Sequence, residues 1–170
     1  GGHLGTDRSI KEILPEIKQA VKIPVIAAGG ITDGYDMAEM VRLGADGVQI
    51  ATRFLLSEEC DVADEYKQVY LNARQEDVII IKSPVGLPGR AIKNTFTDLI
   101  AAGDAPMSEE CEACLRHCSG DYCIKDALLN ARNGRVEEGV VFSGANVYKI
   151  KSILPVARIF ENILLEFSLA

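Results

Sequence analysis

The chain has 170 residues, 48% of them hydrophobic and 25% charged, with a formal net charge of -7. Its 18 Lys and Arg residues are scattered singly, so no basic patch offers itself to phosphates, which argues against a nucleic-acid partner. No apolar run is long enough to span a bilayer and no charged segment leads into an apolar signal region, so a cytoplasmic protein without membrane contact is expected.

In chain order, the opening "GGHLG" is followed by "DRSIKEILPEIKQAVK", where Ile10, Ile13, Leu14, Ile17 and Val21 recur at helical spacing. Ser9 and Glu12 have capping-box spacing, and Pro15 predicts a kink or a helix start just before it. "IPVIAAGG" reads as a buried parallel strand ended by two glycines. "TDGYDMAEMVRLG" then gives a helix capped by Thr32 or Asp33 and stopped at Gly44, with Met37, Met40, Val41 and Leu43 as its inner stripe. Val48 to Ile50 form a second buried strand. Helix, strand, helix, strand in succession predicts βα units with a parallel sheet, an α/β fold. "DVADEYKQVYLNAR" is a further helix, "DVIIIK" a strand, "SPVGLPGR" a loop and "NTFTDLIAAG" a short helix ended by Gly103. After a polar, cysteine-rich stretch, "KDALLNARNG" is a helix stopped by Gly134, "EGVVFSG" is extended, and "SILPVARIFENILLEF" closes the chain as an apolar helix. These readings divide the chain into residues 1–60, 61–103, 104–135 and 136–170.

Three stretches carry chemistry. A strand ending in Gly29-Gly30 with a helix close behind is a geometry that admits an anion, since glycine lets backbone N–H groups approach a phosphate and the helix N-terminus favours negative charge. It is equally a tight turn with no ligand. The next strand ends at Ala51-Thr52, again with small residues and a hydroxyl, and in a (β/α)8 barrel the loops after strands seven and eight form the common phosphate site. Arg53 either assists such a phosphate or points outward to pair with Glu58 or Glu59. His3, one of two histidines, is either a base or hydrogen-bond donor on the same face or an exposed histidine without a partner. Finally, "CEACLRHCSGDYC" holds Cys111, Cys114, Cys118 and Cys123 around His117. Thiols this dense suit Zn²⁺ or an iron–sulfur cluster, or else pack as reduced thiols at a loop–helix junction. Tyr66, Tyr70 and Phe54 read as packing residues.

"GGHLG", "IPVIAAGGITDGYDMAEMVRLGADGVQIATRFLLSEEC" and "YKQVYLNARQEDVIII", in this order and spacing, resemble the nitronate monooxygenase family, and the related FMN-dependent enoyl-acyl-carrier-protein reductases share the pattern. The resemblance implies an FMN-binding TIM barrel with a smaller α+β segment. It places Gly1, Gly2 and His3 beside the flavin, with His3 as the base that takes the substrate's α-proton. It assigns Gly29 and Gly30 to the phosphate turn after strand seven, and Ala51 and Thr52 to the turn after strand eight, where the family usually has Gly-Thr. In "SGANV", Ala145 stands where many members carry Gln.

With strands seven and eight at Val25 and Val48 and a barrel needing about 200 residues, the chain reads as the C-terminal part of a barrel enzyme, a fragment that by itself binds FMN poorly and is inactive. "GGHLG" then reads as the loop after strand six. An unpaired apolar sheet edge invites a homo-oligomer. The function expected of the parent is oxidation of nitronates with O2 through flavin and a histidine base. The alternatives are NAD(P)H- and FMN-dependent reduction of an enoyl thioester, and a non-catalytic phosphate-binding or metal-clip scaffold.

Overall fold

The structure, a computed structural model, describes residues 2–170. The chain forms two compact units, one of Gly1–Gly5 with Asp61–Ser143 and one of Thr6–Cys60 with Gly144–Ala170. The chain thus leaves the second unit at Cys60 and returns to it at Gly144, a division that no linear reading of composition suggests.

The second unit contains α1 (Ile10–Ala20), β1 (Ile26–Ala28), α2 (Gly34–Arg42), β2 (Gly47–Gln49), a four-residue α3 (Thr52–Leu55) and, after Gly144, the C-terminal α7 (Val156–Leu169). β1 and β2 pair in parallel, Ile26 opposite Gly47 and Ala28 opposite Gln49, joined through α2 as a βαβ unit. At the start of α1 the Glu12 carboxylate accepts the Ser9 N–H at 3.1 Å. The helix begins at Ile10 and continues through Pro15, so the proline neither starts nor ends it. Pro15 leaves the Lys11 carbonyl without its helical donor, and burial of Leu14, worth about 1.5–3 kcal/mol, works against that loss. Leu14, Ala27, Ile31, Met40 and Ala45 form the core of this unit.

Two expectations are corrected here. β1 is not buried throughout: Ala27 is 2% exposed but Ile26 is 57% exposed, because a two-stranded sheet with helices against one face leaves the alternate side chains uncovered. Val41, assigned to the inner stripe of α2, is also exposed, and the face that packs carries Gly34, Ala38 and Met40.

The first unit contains α4 (Asp64–Asn72), the antiparallel pair β3 (Val78–Ile81) and β4 (Gly89–Ile92), α5 (Thr95–Ala102) and α6 (Ile124–Arg132). β4 is the element the sequence concealed. "GRAI" lacks a β-branched run and follows a Gly/Pro loop, yet it pairs with β3 from Val78 opposite Ile92 to Ile81 opposite Gly89. The other edge of β4 is shared between two segments. Arg90 N–H donates to Gly2 O at 2.7 Å and Leu4 N–H to Pro88 O at 2.9 Å, while Ile92 N–H donates to Val141 O at 2.9 Å and Ser143 N–H to Arg90 O at 3.0 Å. "GGHLG" is therefore not a free loop: Gly2 to Leu4 run extended along β4. Asn94 caps α5 by accepting the Thr97 N–H at 2.9 Å, and its amide donates to the Val136 and Gly139 carbonyls. Ala91, Phe96, Tyr122, Ala127 and Val140 lie at the centre of this core. Among the described residues no helix is long and apolar enough to cross a membrane.

Candidate functional site

His3 is fixed by its backbone before its side chain is considered. The antiparallel bridge between His3 and Gly89 sets the direction of the ring. The His3 Nε2 atom lies 2.7 Å from Ser83 Oγ, in the loop between β3 and β4. The ring packs at a centroid distance of 4.7 Å and a tilt of 49° on Phe142. Phe142 is held in turn, since Tyr70, fully buried on α4, donates its hydroxyl to the Phe142 carbonyl at 2.6 Å. Gly89 has to be glycine for this packing: a Cβ there would stand 2.5 Å from Phe142 Cε1. Burial lowers the His3 pKa from its ordinary value, which favours the neutral imidazole. The first unit thus presents a half-buried neutral imidazole with one nitrogen engaged by a hydroxyl, an arrangement suited to accepting a proton at the other. Ser83, Gly89 and Phe142, which build this environment, were not singled out from sequence. Gly1 lies outside the described residues.

The second unit holds the two glycine- and threonine-bearing turns. Gly29 and Gly30 sit at φ 107° and 71°, and no atom lies within 4 Å of where a Gly29 Cβ would stand. That open backbone suits the close approach of phosphate oxygens. Ala51 precedes α3 and Thr52 opens it. The "SGANV" loop joins the two turns: the Asn146 amide donates to the Gly30 carbonyl, and Gly144 N–H donates to Thr52 Oγ1 at 3.0 Å. Ala145, the departure from the family pattern, sits between these two contacts, and both are made by its neighbours. Asp33 caps α2 by accepting the Asp36 N–H at 2.7 Å. The Asp36 carboxylate accepts from Thr32 N–H and Oγ1 at 3.0 and 2.8 Å and pairs with Lys149 at 2.9 Å. Burial raises its pKa, but the Lys149 ammonium and the Thr32 donors outweigh burial and hold it below the ordinary carboxylate range.

Arg53 does not point outward as one expectation had it. It is buried, 7% exposed, and its guanidinium donates to the Ser152 carbonyl at 2.9 Å rather than pairing with Glu58 or Glu59. Only Nη1 finds an acceptor, while Nη2 is buried without a hydrogen-bond partner; burial lowers the Arg53 pKa and the Glu166 carboxylate pulls it partway back up. The cysteine stretch is likewise corrected. Cys111, Cys114 and Cys118 are exposed, Cys123 is half-buried, all are free thiols, and among the described residues no three His, Cys, Asp or Glu side chains converge on a common metal position. Spacing suggested ligation, but no three ligating side chains are placed to share one ion among the described residues, so the Zn or iron–sulfur expectation finds no support in the geometry.

Comparison with known proteins follows the same lines. The family profile for nitronate monooxygenase matches residues 1–166. A probable nitronate monooxygenase of Staphylococcus aureus (strain Newman) is 30% identical over 142 residues, covering 75% of this chain and 40% of the relative, and that of strain JH9 is 34% identical over 140 residues, covering 74% and 39%. The structure of FabK from Thermotoga maritima superposes with a TM-score of 0.81 at 31% identity, over 99% of this chain and 51% of that one. A nitroalkane oxidase from Streptomyces ansochromogenes shares the fold, with a TM-score of 0.78 at 24% identity, over 100% of this chain and 49% of that one. The chain spans about 40% of the length of these curated relatives and about half of these solved chains. Its α/β fold is that of part of a TIM barrel with an added α+β segment, as its motifs implied. With the family profile matched over residues 1–166, the chain belongs to the nitronate monooxygenase family.

Proposed function

We propose that these residues are part of an FMN-dependent oxidoreductase of the nitronate monooxygenase type, which oxidises nitronates with dioxygen. The observation that carries the reading is His3, half-buried beside Phe142 with one ring nitrogen bound to Ser83. A general base must be neutral at working pH and fixed in orientation. Burial supports the first condition, and Ser83 with the backbone pairing along β4 supports the second. In this reading His3 accepts or guides the substrate's α-proton. Gly29, Gly30, Ala51 and Thr52 would hold the FMN phosphate through backbone N–H groups, with Asn146 and Gly144 keeping the two turns together. Gly1 and Gly2 are assigned to the flank of the flavin by the family resemblance. When bound, the flavin supplies the redox chemistry, uptake of an electron or hydride equivalent and its return to dioxygen. A cytoplasmic location and a small-molecule substrate go with this reading.

The likeness to FabK at 31% identity favours a second reading, NAD(P)H- and FMN-dependent reduction of an enoyl thioester. Steady-state assay of the FMN-loaded full-length parent separates the two: O2 uptake with a nitronate supports the first, and NAD(P)H oxidation with an enoyl thioester supports the second. Replacing His3 by Ala is expected to lower turnover by about 10²–10⁴-fold. Flavin turnover unchanged by that substitution would leave a non-catalytic phosphate-binding scaffold as the better account.

A further inference from the structure

The C-terminal helix carries two polar residues on the stripe that it buries. Ile159 and Ile163 are core residues, and Asn162 and Glu166 follow them at helical spacing, so all four share one face of α7. That face and Arg53 line a cavity of about 210 Å³ within the second unit. The polar groups around it are unevenly satisfied. The buried Arg53 guanidinium donates through Nη1 to the carbonyl of Ser152, another residue of the cavity wall, and its Nη2 has no partner. The Asn162 carboxamide makes no hydrogen bond among the described residues. Glu166 uses Oε2 to accept the Gly34 N–H at the start of α2, at 2.9 Å, which leaves Oε1 open to a donor. Of the other charged groups at the wall, Asp33 caps α2, Lys149 pairs with Asp36, and Lys151 adds a second ammonium.

We propose that this cavity is a binding site for a small protonated oxyanion, hydrogenphosphate. None of Gly29, Gly30, Ala51 and Thr52 lines it, so it is separate from the turns that the family resemblance assigns to the flavin phosphate. A buried guanidinium N–H without an acceptor is costly, and hydrogen bonds to an ionised partner are the strong ones, so Nη2 calls for an anionic oxygen. A tetrahedral oxyanion offers acceptors to Arg53 Nη2 and Asn162 Nδ2 together. Glu166 sets the condition on that ion. Its open oxygen repels an oxyanion without a proton, whereas hydrogenphosphate keeps an O–H at neutral pH and donates it to Oε1. Sulfate has no such proton and leaves two acceptors facing each other, so the carboxylate selects phosphate over sulfate.

The test is calorimetric titration of inorganic phosphate into the full-length parent, saturated with FMN so that the flavin-phosphate turns are filled, at constant ionic strength. The expected result is one phosphate bound per chain and no saturable binding of sulfate. Arg53→Gln should weaken phosphate by about 10–100-fold, the loss expected for one charge-assisted hydrogen bond in a buried site. Asn162→Asp keeps the side-chain shape, sets a second carboxylate in the cavity and should abolish binding. Glu166→Gln keeps an acceptor for the Gly34 N–H, replaces the open acceptor by an N–H donor, and should admit sulfate. Absence of saturable phosphate binding by the parent overturns the proposal, as does parent affinity that is equal for sulfate and phosphate. Phosphate affinity unchanged in Arg53→Gln and Asn162→Asp overturns it as well. Should Arg53→Gln not fold, the isosteric Asn162→Asp carries the test, and unchanged affinity there is refutation enough. The variants, rather than the flavin or any turnover, identify the site, so the result stands even if the parent proves not to use FMN.

Discussion

Gly89→Ala isolates the packing that holds His3. Gly89 does not occupy the left-handed region, so the backbone tolerates alanine and any effect comes from the added methyl alone. That methyl would stand 2.5 Å from Phe142 Cε1, 3.3 Å from Cδ1 and 3.4 Å from Cζ. Contacts under 3.0 Å cannot persist, so the Phe142 ring has to move. Its carbonyl is tethered by Tyr70 and its face is against His3, which leaves little room for it to do so without cost. Overpacking of this kind costs about 1–3 kcal/mol, which for a chain of this size lowers Tm by about 2–12 °C. Differential scanning calorimetry measures the loss, and imidazole ring-current shifts of His3 report the displacement of Phe142. Phe142→Leu in the Gly89→Ala background removes the clashing ring atoms and should recover part of the stability relative to the sum of the single variants. A Tm unchanged by Gly89→Ala, or strict additivity of the two substitutions, would refute the steric account.

Three further outcomes follow from the second unit and the thiols. Asp36→Asn removes the charge that faces Lys149 and should cost about 1 kcal/mol, a modest figure because Lys149 is partly exposed. Since the folded carboxyl titrates below the unfolded one, its contribution is present above the unfolded pKa of about 3.9 and is lost as pH falls through the folded value; acid unfolding curves of parent and variant should therefore converge below about pH 4. Asn146→Ala releases the Gly30 carbonyl, and FMN titration followed by flavin fluorescence should show affinity weakened by about tenfold if the clasp shapes the phosphate turn. In native protein the exposed Cys111, Cys114 and Cys118 should react rapidly with a thiol reagent while Cys60 and Cys123 lag; uniform protection of the four clustered thiols, with stoichiometric Zn or Fe in elemental analysis, would restore the metal reading.

The sequence by itself determined what depends on near neighbours. The Ser9–Glu12 box, a cap at Thr32 or Asp33, the stops at Gly44, Gly103 and Gly134, and the βα alternation of residues 10–50 all rest on spacings of a few residues, where local propensity and capping decide. The family pattern was legible for the same reason, since its glycine and threonine turns are short local signals. Tertiary structure decided everything that depends on distant partners. "GRAI" became β4 because β3, Gly2 to Leu4 and Val141 to Ser143 supplied its hydrogen bonds. Arg53 turned inward because the Ser152 carbonyl was there to receive it, 99 residues along the chain. The cysteines, close in sequence, failed to converge because adjacency along a loop does not aim side chains at one point. Ser83 and Phe142 came to flank His3 across 80 and 139 residues, and no periodicity records such a meeting. Spacing in sequence reports the face and end of an element, whereas the neighbours of a catalytic side chain are set by how elements pack, which is a property of the folded chain alone.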